Sequence, residues 1–164
     1  AAQIAVGSEG VTILPFGNGS ERMLENRTPG ASIAGLDLVR HSSGHIVRAA
    51  QEGIAFAFQW GMGIMRSMGM STDVIRAGHA NLFLSPIFRQ TLATVSGARI
   101  ELYDTDGAAG AARGAAFGAG AHTSVEDAFR ALKKIATVEP KVADKVRTED
   151  AYRRWVLALG KALQ

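Results

Sequence analysis

The chain has 164 residues, a net charge of +3 and no cysteine. A chain of that length buries roughly two thirds of its unfolded surface, so one domain with a real core is the starting assumption; the lack of cysteine excludes disulfides and thiolate chemistry and suits a reducing cytoplasm. Basic residues are densest from Arg130 to Arg147, with Glu139 and Asp144 among them. That reads as a solvated face without the aromatic interleaving of a nucleic-acid stripe. The longest apolar stretch, Ile54 to Met65, is broken by Gln59 and several glycines, short of the about 20 apolar residues that a membrane span needs.

Ala1-Ala2-Gln3 carries neither an initiator Met nor a basic-then-apolar leader, so a missing N-terminal portion is expected. Val11 to Phe16 is an apolar run that predicts a strand, and the polar, glycine-containing stretch from Gly17 to Gly30 predicts a loop able to reach toward a ligand. From Ser42, a cap, Ile46, Ala50, Ile54, Phe58, Met65 and Met68 recur at three, four or seven residues, predicting one face of a helix that runs to about Gly69. Val74 to Ala77 reads as a strand, Gly78 to Leu84 as a turn, and Ser85-Pro86 as a helix start, since Ser caps and Pro fits the first helical position. Ile87, Phe88, Leu92 and Val95 supply that helix's buried face. Arg99 to Tyr103 alternates as a strand, and Asp104 to Gly107 turns into an Ala/Gly helix ending near Gly118 to Gly120. Ser124 with Asp127 resembles a capping box and predicts a helix to Lys134. Thr148, followed by Glu149 and Asp150, predicts the start of the last helix, on which Tyr152, Trp155, Val156 and Leu159 share a face. The alternation of strands and helices argues for an α/β domain with at least partly parallel pairing.

Ala77-Gly78-His79-Ala80-Asn81 lies where a strand ends and a helix is about to begin, and ligands in open α/β sheets collect at that carboxyl edge. Small residues there let backbone approach a ligand, and free N–H groups near a helix start favour phosphate; a tight structural turn uses the same residues. Gly107, Gly110 and Gly114 recur along one helix face. Each interior glycine costs about 0.5–1 kcal/mol relative to alanine, a cost tolerated where another backbone or a nucleotide must come close. His41 and His45 are one helical turn apart with Glu52 seven further. That is the spacing of a helical metal site, but the Ser42 cap puts His41 outside the helix and no third ligand is spaced for it, so no protein metal site is expected. Glu52, within an otherwise apolar stretch, reads as a structural anchor before a site residue, because it is expensive to bury unpaired.

The turn around Gly78, then Ser85-Pro86-Ile87-Phe88-Arg89-Gln90, then the Gly-Ala-Ala-Gly-Ala-Ala run from Gly107 resemble the adenosine-binding half of the FGGY carbohydrate kinases, closest to the xylulokinases. Ile13-Leu14-Pro15-Phe16, Ser20-Glu21-Arg22 and Ala49 to Phe56 are similar to the same family in the same order, so the resemblance covers essentially the whole chain. It implies part of the C-terminal actin-like ATPase domain, ribonuclease H-like in fold, of a two-domain sugar kinase. Residues 1–164 would be that nucleotide-side domain, partial, with 121–164 as C-terminal helices and the N-terminal sugar-binding domain absent. The reaction implied is transfer of a phosphoryl group from ATP, with Mg²⁺, to a ketose, D-xylulose in the first place; an actin-like packing domain without nucleotide and a glycerol or polyol kinase relative are the alternatives. By carry-over, Ala77, Gly78, His79, Ala80 and Asn81 lie along the nucleotide, with Leu82 or Phe83 near the base, Gly107 and Gly110 beside it, and Glu21 and Arg22 as candidate cleft residues; a loop salt bridge is the other role for that pair. Ala77 and His79 stand where the family usually has glycines, and Met23-Leu24 follows Glu21-Arg22 where the family usually has Thr-Pro. No catalytic residue is expected in this chain, the sugar being reached through the missing domain, and a homodimer is compatible with the resemblance.

Overall fold

The computed structural model describes residues 1–164 apart from the side chain of Glu21. Strands β1 (Thr12–Phe16) and β2 (Gly30–Ala34) form an antiparallel pair. Helix α1 (Ser43–Ser67) follows, starting behind Ser42, whose backbone N–H donates to Nδ1 of His45 at 3.0 Å. Then come β3 (Val74–Gly78), a 3-10 turn at Asn81–Leu84, α2 (Pro86–Ser96) and β4 (Arg99–Tyr103). The Ser85 hydroxyl caps α2, accepting from the Phe88 N–H at 3.4 Å while donating to Oε1 of Gln51 on α1. Helix α3 (Gly107–Gly118), the short α4 (Val125–Phe129), β5 (Lys134–Val138) and α5 (Lys145–Ala162) complete the chain. In the second sheet, ordered β3-β4-β5, β3 and β4 are parallel and β5 is antiparallel to β4.

Two apolar clusters hold these elements. Phe88 and Leu92 of α2 pack with Ile100 and Leu102 of β4 and Ala55 and Met62 of α1, while Leu14, Phe16, Phe56, Trp155 and Leu159 join β1, α1 and α5. Trp155 is fully buried, and its indole N–H donates to the Ile13 carbonyl at 3.0 Å, so the ring is packed without a stranded donor. Helix α1 presses onto β1 at Gly53, where a Cβ would collide with the Ile13 carbonyl oxygen.

The structure differs from the sequence reading in four places. Residues 121–164 contain a strand as well as helices: the helix capped by Ser124 stops at Phe129 rather than Lys134, and Lys134–Val138 pairs with β4. Its Ile135, Thr137 and Val138 are β-branched and suit a pleated surface. The last helix begins at Lys145 rather than Thr148, whose hydroxyl donates to the Asp144 carbonyl at 2.8 Å from within the first turn. Strand β2 begins at Gly30, the last residue of the stretch read as loop, and runs through residues for which no strand was expected. On α1, the apolar stripe is covered only in its first half: Ile46, Ala50 and Ile54 are half-buried, whereas Phe58 is 47% exposed and Met65 and Met68 are exposed, and the buried side carries Ala49, Ala55, Phe56 and Met62 together with His45, Arg48 and Glu52.

The two charged residues on that side are buried with their partners. The Glu52 carboxylate accepts from Nε of Arg48 at 2.8 Å, the Gly7 N–H at 3.0 Å and the Ser8 hydroxyl at 2.9 Å, while Nη1 of Arg48 donates to the Ile4 carbonyl at 2.8 Å. A carboxylate supplied with three donors can be buried. It binds the N-terminal segment along α1, including Ser8 and Glu9, both held at left-handed φ (48° and 51°).

Candidate functional site

Because β3 and β4 are parallel, with Gly78 opposite Tyr103, their carboxyl ends lie at one edge of the sheet. The chain leaves that edge twice, through His79 into the 3-10 turn and through Asp104-Thr105-Asp106 into α3. The His79 N–H donates to the Tyr103 carbonyl at 2.9 Å, and the Thr105 N–H donates to the same oxygen at 2.8 Å. Both departures are therefore tied to one acceptor. Gly78 sits against the second: a Cβ there would strike the Thr105 carbonyl oxygen and come within 3.0 Å of its carbon. Asn81 adopts φ 50°, a left-handed conformation that Asn tolerates better than most residues.

A cavity of about 410 Å³ opens here, lined by Ala77, Gly78, Ala80 and Asn81 of the first departure, Asp106 and Gly107 of the second, and Phe83 and Phe88 among others. The two rings meet edge to face at 5.3 Å. Helix α3 points its N-terminus into this space. Its first amides have no intrahelical acceptor, and Oδ1 of Asp106 takes only the Ala109 N–H, at 2.8 Å. Apolar lining and free amides at a positive helix end are the two kinds of surface that a planar base and an anionic group require. A second cavity of about 390 Å³, also lined by Gly78, has Arg76, Tyr103, Thr105 and Phe129 in its wall.

Of the residues proposed from sequence, Ala77, Gly78, Ala80, Asn81 and Gly107 line the first cavity. His79 is exposed beside them. Gly110 does not line it: around a Cβ at Gly110 or Gly114 nothing lies within 4 Å, and α3 buries none of its residues. The close approach expected along that glycine face is thus not made by this chain, except where Thr105 and Asp106, just ahead of α3, meet Gly78. Gly110→Ala is accordingly expected to stabilise the chain by about 0.5–1 kcal/mol, read as a rise in the urea midpoint; a fall would show a neighbour on that face. Arg22 lies elsewhere, at an apolar groove of about 590 Å³ between β1 and α1 with Met23 and Phe58, and the side chain of Glu21 is outside the described residues. Another cavity, of about 550 Å³, lies between the N-terminal segment, α2 and the start of α5, away from the carboxyl edge. Among the described residues no group of three or more His, Cys, Asp or Glu could hold a metal ion, and no helix is long and apolar enough to cross a membrane.

Sequence reasoning missed the polar face of the second sheet. Glu101, 6% exposed, accepts from Nε of Arg76 on β3 at 3.2 Å, Nζ of Lys134 on β5 at 3.2 Å and the Tyr103 hydroxyl at 3.0 Å, and Nη2 of Arg99 is 3.6 Å away. The Lys134 hydrogen bond, with those of Tyr103 and Arg76, holds the Glu101 carboxyl below the usual carboxylate range. The signal was present as alternation, Arg99, Glu101 and Tyr103 falling on one face of β4, but Arg76 and Lys134 join them only through the strand register.

No protein-family model matches the chain. A xylulose kinase of Haemophilus influenzae is 30% identical over 168 residues, which take in 98% of this chain and 33% of that protein. The chain therefore spans about a third of the length of that curated relative. Among solved structures, the xylulose kinase from Rhodospirillum rubrum superposes with a TM-score of 0.79 at 23% identity, over 98% of this chain and 32% of that one. The Plasmodium falciparum glycerol kinase with ADP gives 0.71 at 26% identity, over 96% and 31%. The resemblance to sugar kinases is thus shown, and the mixed α/β fold is that of part of such a kinase.

Proposed function

We propose that this chain is the nucleotide-side portion of an ATP-dependent sugar kinase, part of its C-terminal actin-like ATPase domain, and that the whole protein phosphorylates a ketose, D-xylulose to D-xylulose 5-phosphate. The observation that carries the reading is the cavity at the carboxyl edge of β3 and β4, where Gly78, Asn81 and the N-terminus of α3 converge. The Haemophilus influenzae relative is a xylulose kinase, and the glycerol kinase whose fold the chain shares was solved with ADP. ATP, brought with Mg²⁺, supplies the phosphoryl group.

This chain's residues bind and orient. Phe83 and Leu82 give the base an apolar wall, the backbone of Ala77 to Asn81 runs along the ribose and phosphates, and the amides at Gly107 and Ala108 face the anionic end. The base that activates the sugar hydroxyl and the sugar contacts belong to the rest of the protein, in a reducing cytoplasm that suits a chain without cysteine. Titration of this chain with ADP is expected to shift the amide resonances of Ala77 to Asn81 and of Gly107; shifts confined to other segments would sink the assignment. The same preparation should show no sugar phosphorylation, and turnover by the pure chain would place the base within it.

One observation favours a second reading. The uncovered Gly110 and Gly114 face of α3 would accept another backbone, as in a packing domain without nucleotide. A chain whose amides are silent to ADP would support it.

A further inference from the structure

We propose that Arg76 is the cation that receives the nucleotide's phosphates in this site, held in place by Glu101. The inference rests on the nucleotide reading above and adds the residue that sets its preference for a nucleoside diphosphate or triphosphate over a nucleoside. Arg76 lines both cavities that Gly78 lines, and it is the one cationic residue among the described residues lining either. The free amides of α3 supply partial charge only, and Asp106 adds a negative charge to the same space, so a polyphosphate needs a full positive charge nearby.

The guanidinium is arranged to supply it. Nε donates to Glu101 at 3.2 Å, which leaves the two terminal nitrogens, with four of the five N–H donors, free for a second acceptor. The side chain is 69% exposed, whereas that of Glu101 is 8% exposed. One end of the pair is thus anchored and the other open. Glu101 does not cancel the charge of the sheet face, because Lys134 and Arg99 also reach it. Arginine suits the role because its planar fork can hold a carboxylate at one edge and a phosphate at the other, which a lysine ammonium does not reproduce.

The test compares ADP with adenosine, by calorimetry, on the chain and on Arg76→Gln, Arg76→Lys and Glu101→Gln. Arg76→Gln is expected to weaken ADP about tenfold, as loss of one exposed charge-assisted contact does, and to leave adenosine unchanged. Arg76→Lys should recover part of that loss. Glu101 is a positioning residue, so Glu101→Gln should reduce ADP affinity selectively, and not further once Arg76 is Gln. Equal weakening of both ligands, or unchanged ADP binding by Arg76→Gln, overturns the role of Arg76 while leaving the nucleotide site in place. Failure of the unaltered chain to bind either ligand removes the nucleotide reading and this proposal with it.

Discussion

Replacing Glu52 with alanine is expected to destabilise the chain by about 3–5 kcal/mol, the range for breaking a buried ion pair from one side. The side chain is 3% exposed and that of Arg48 is 10% exposed, so neither can turn to water when its partner is removed. The loss strands the Arg48 Nε–H, the Gly7 N–H and the Ser8 hydroxyl together, and with them the restraint on the left-handed backbone at Ser8 and Glu9. In a domain of this size the midpoint of thermal unfolding should fall by roughly 10 °C, followed by circular dichroism. The double variant Arg48→Met with Glu52→Ala should recover part of the loss, because no unpaired charge is left buried. A midpoint within about 2 °C of the unaltered chain would show that the N-terminal segment is held by something else.

Gly78→Val is expected to cost about 3 kcal/mol or more, at the upper end of overpacking, because the obstruction is backbone and not the tip of a flexible side chain. The colliding group is the Thr105 carbonyl, which belongs to the loop entering α3. Relief requires that loop to move away from β3. It leads to Asp106 and Gly107 on the cavity wall, so ADP affinity should fall together with the urea midpoint. Gly78→Ala should show the same effects in smaller measure. Unchanged stability in Gly78→Val would mean that the loop yields freely, and unchanged ADP affinity would detach the turn from the nucleotide site.

These two positions differ in how far they were legible beforehand. The anchor role of Glu52 followed from the cost of burying a carboxylate on an apolar helix, and the structure supplies the donors. Gly78 was marked as a place of close approach, but its neighbour, Thr105, lies beyond a whole helix and strand and is met only through β3–β4 pairing. His41 and His45, one turn apart, were set aside as a metal site because Ser42 ends the helix; that cap is present, with His45 as its partner.

What the sequence by itself determined is the local framework: α1 and its cap at Ser42, the Ser85-Pro86 start of α2, strands β1, β3 and β4, the turn after Gly78 and the start of α3 behind Asp106. The helix starts and the turn rest on interactions within a few residues, namely side-chain periodicity, a capping hydroxyl and backbone freedom, and the three strands were legible as short apolar runs bounded by turn residues. Only the tertiary structure decided which face of α1 is buried, that β2 and β5 are strands, that the glycine face of α3 stays open, and that Arg76 meets Glu101. A strand is defined by a partner distant in sequence, and a buried charge by donors that distant segments bring to it. Helix periodicity alone carried the buried stripe of α1 on to Phe58 and Met65, which stay exposed, and it registers apolar surface and not the hydrogen bonds that make burial of Arg48 and Glu52 tolerable.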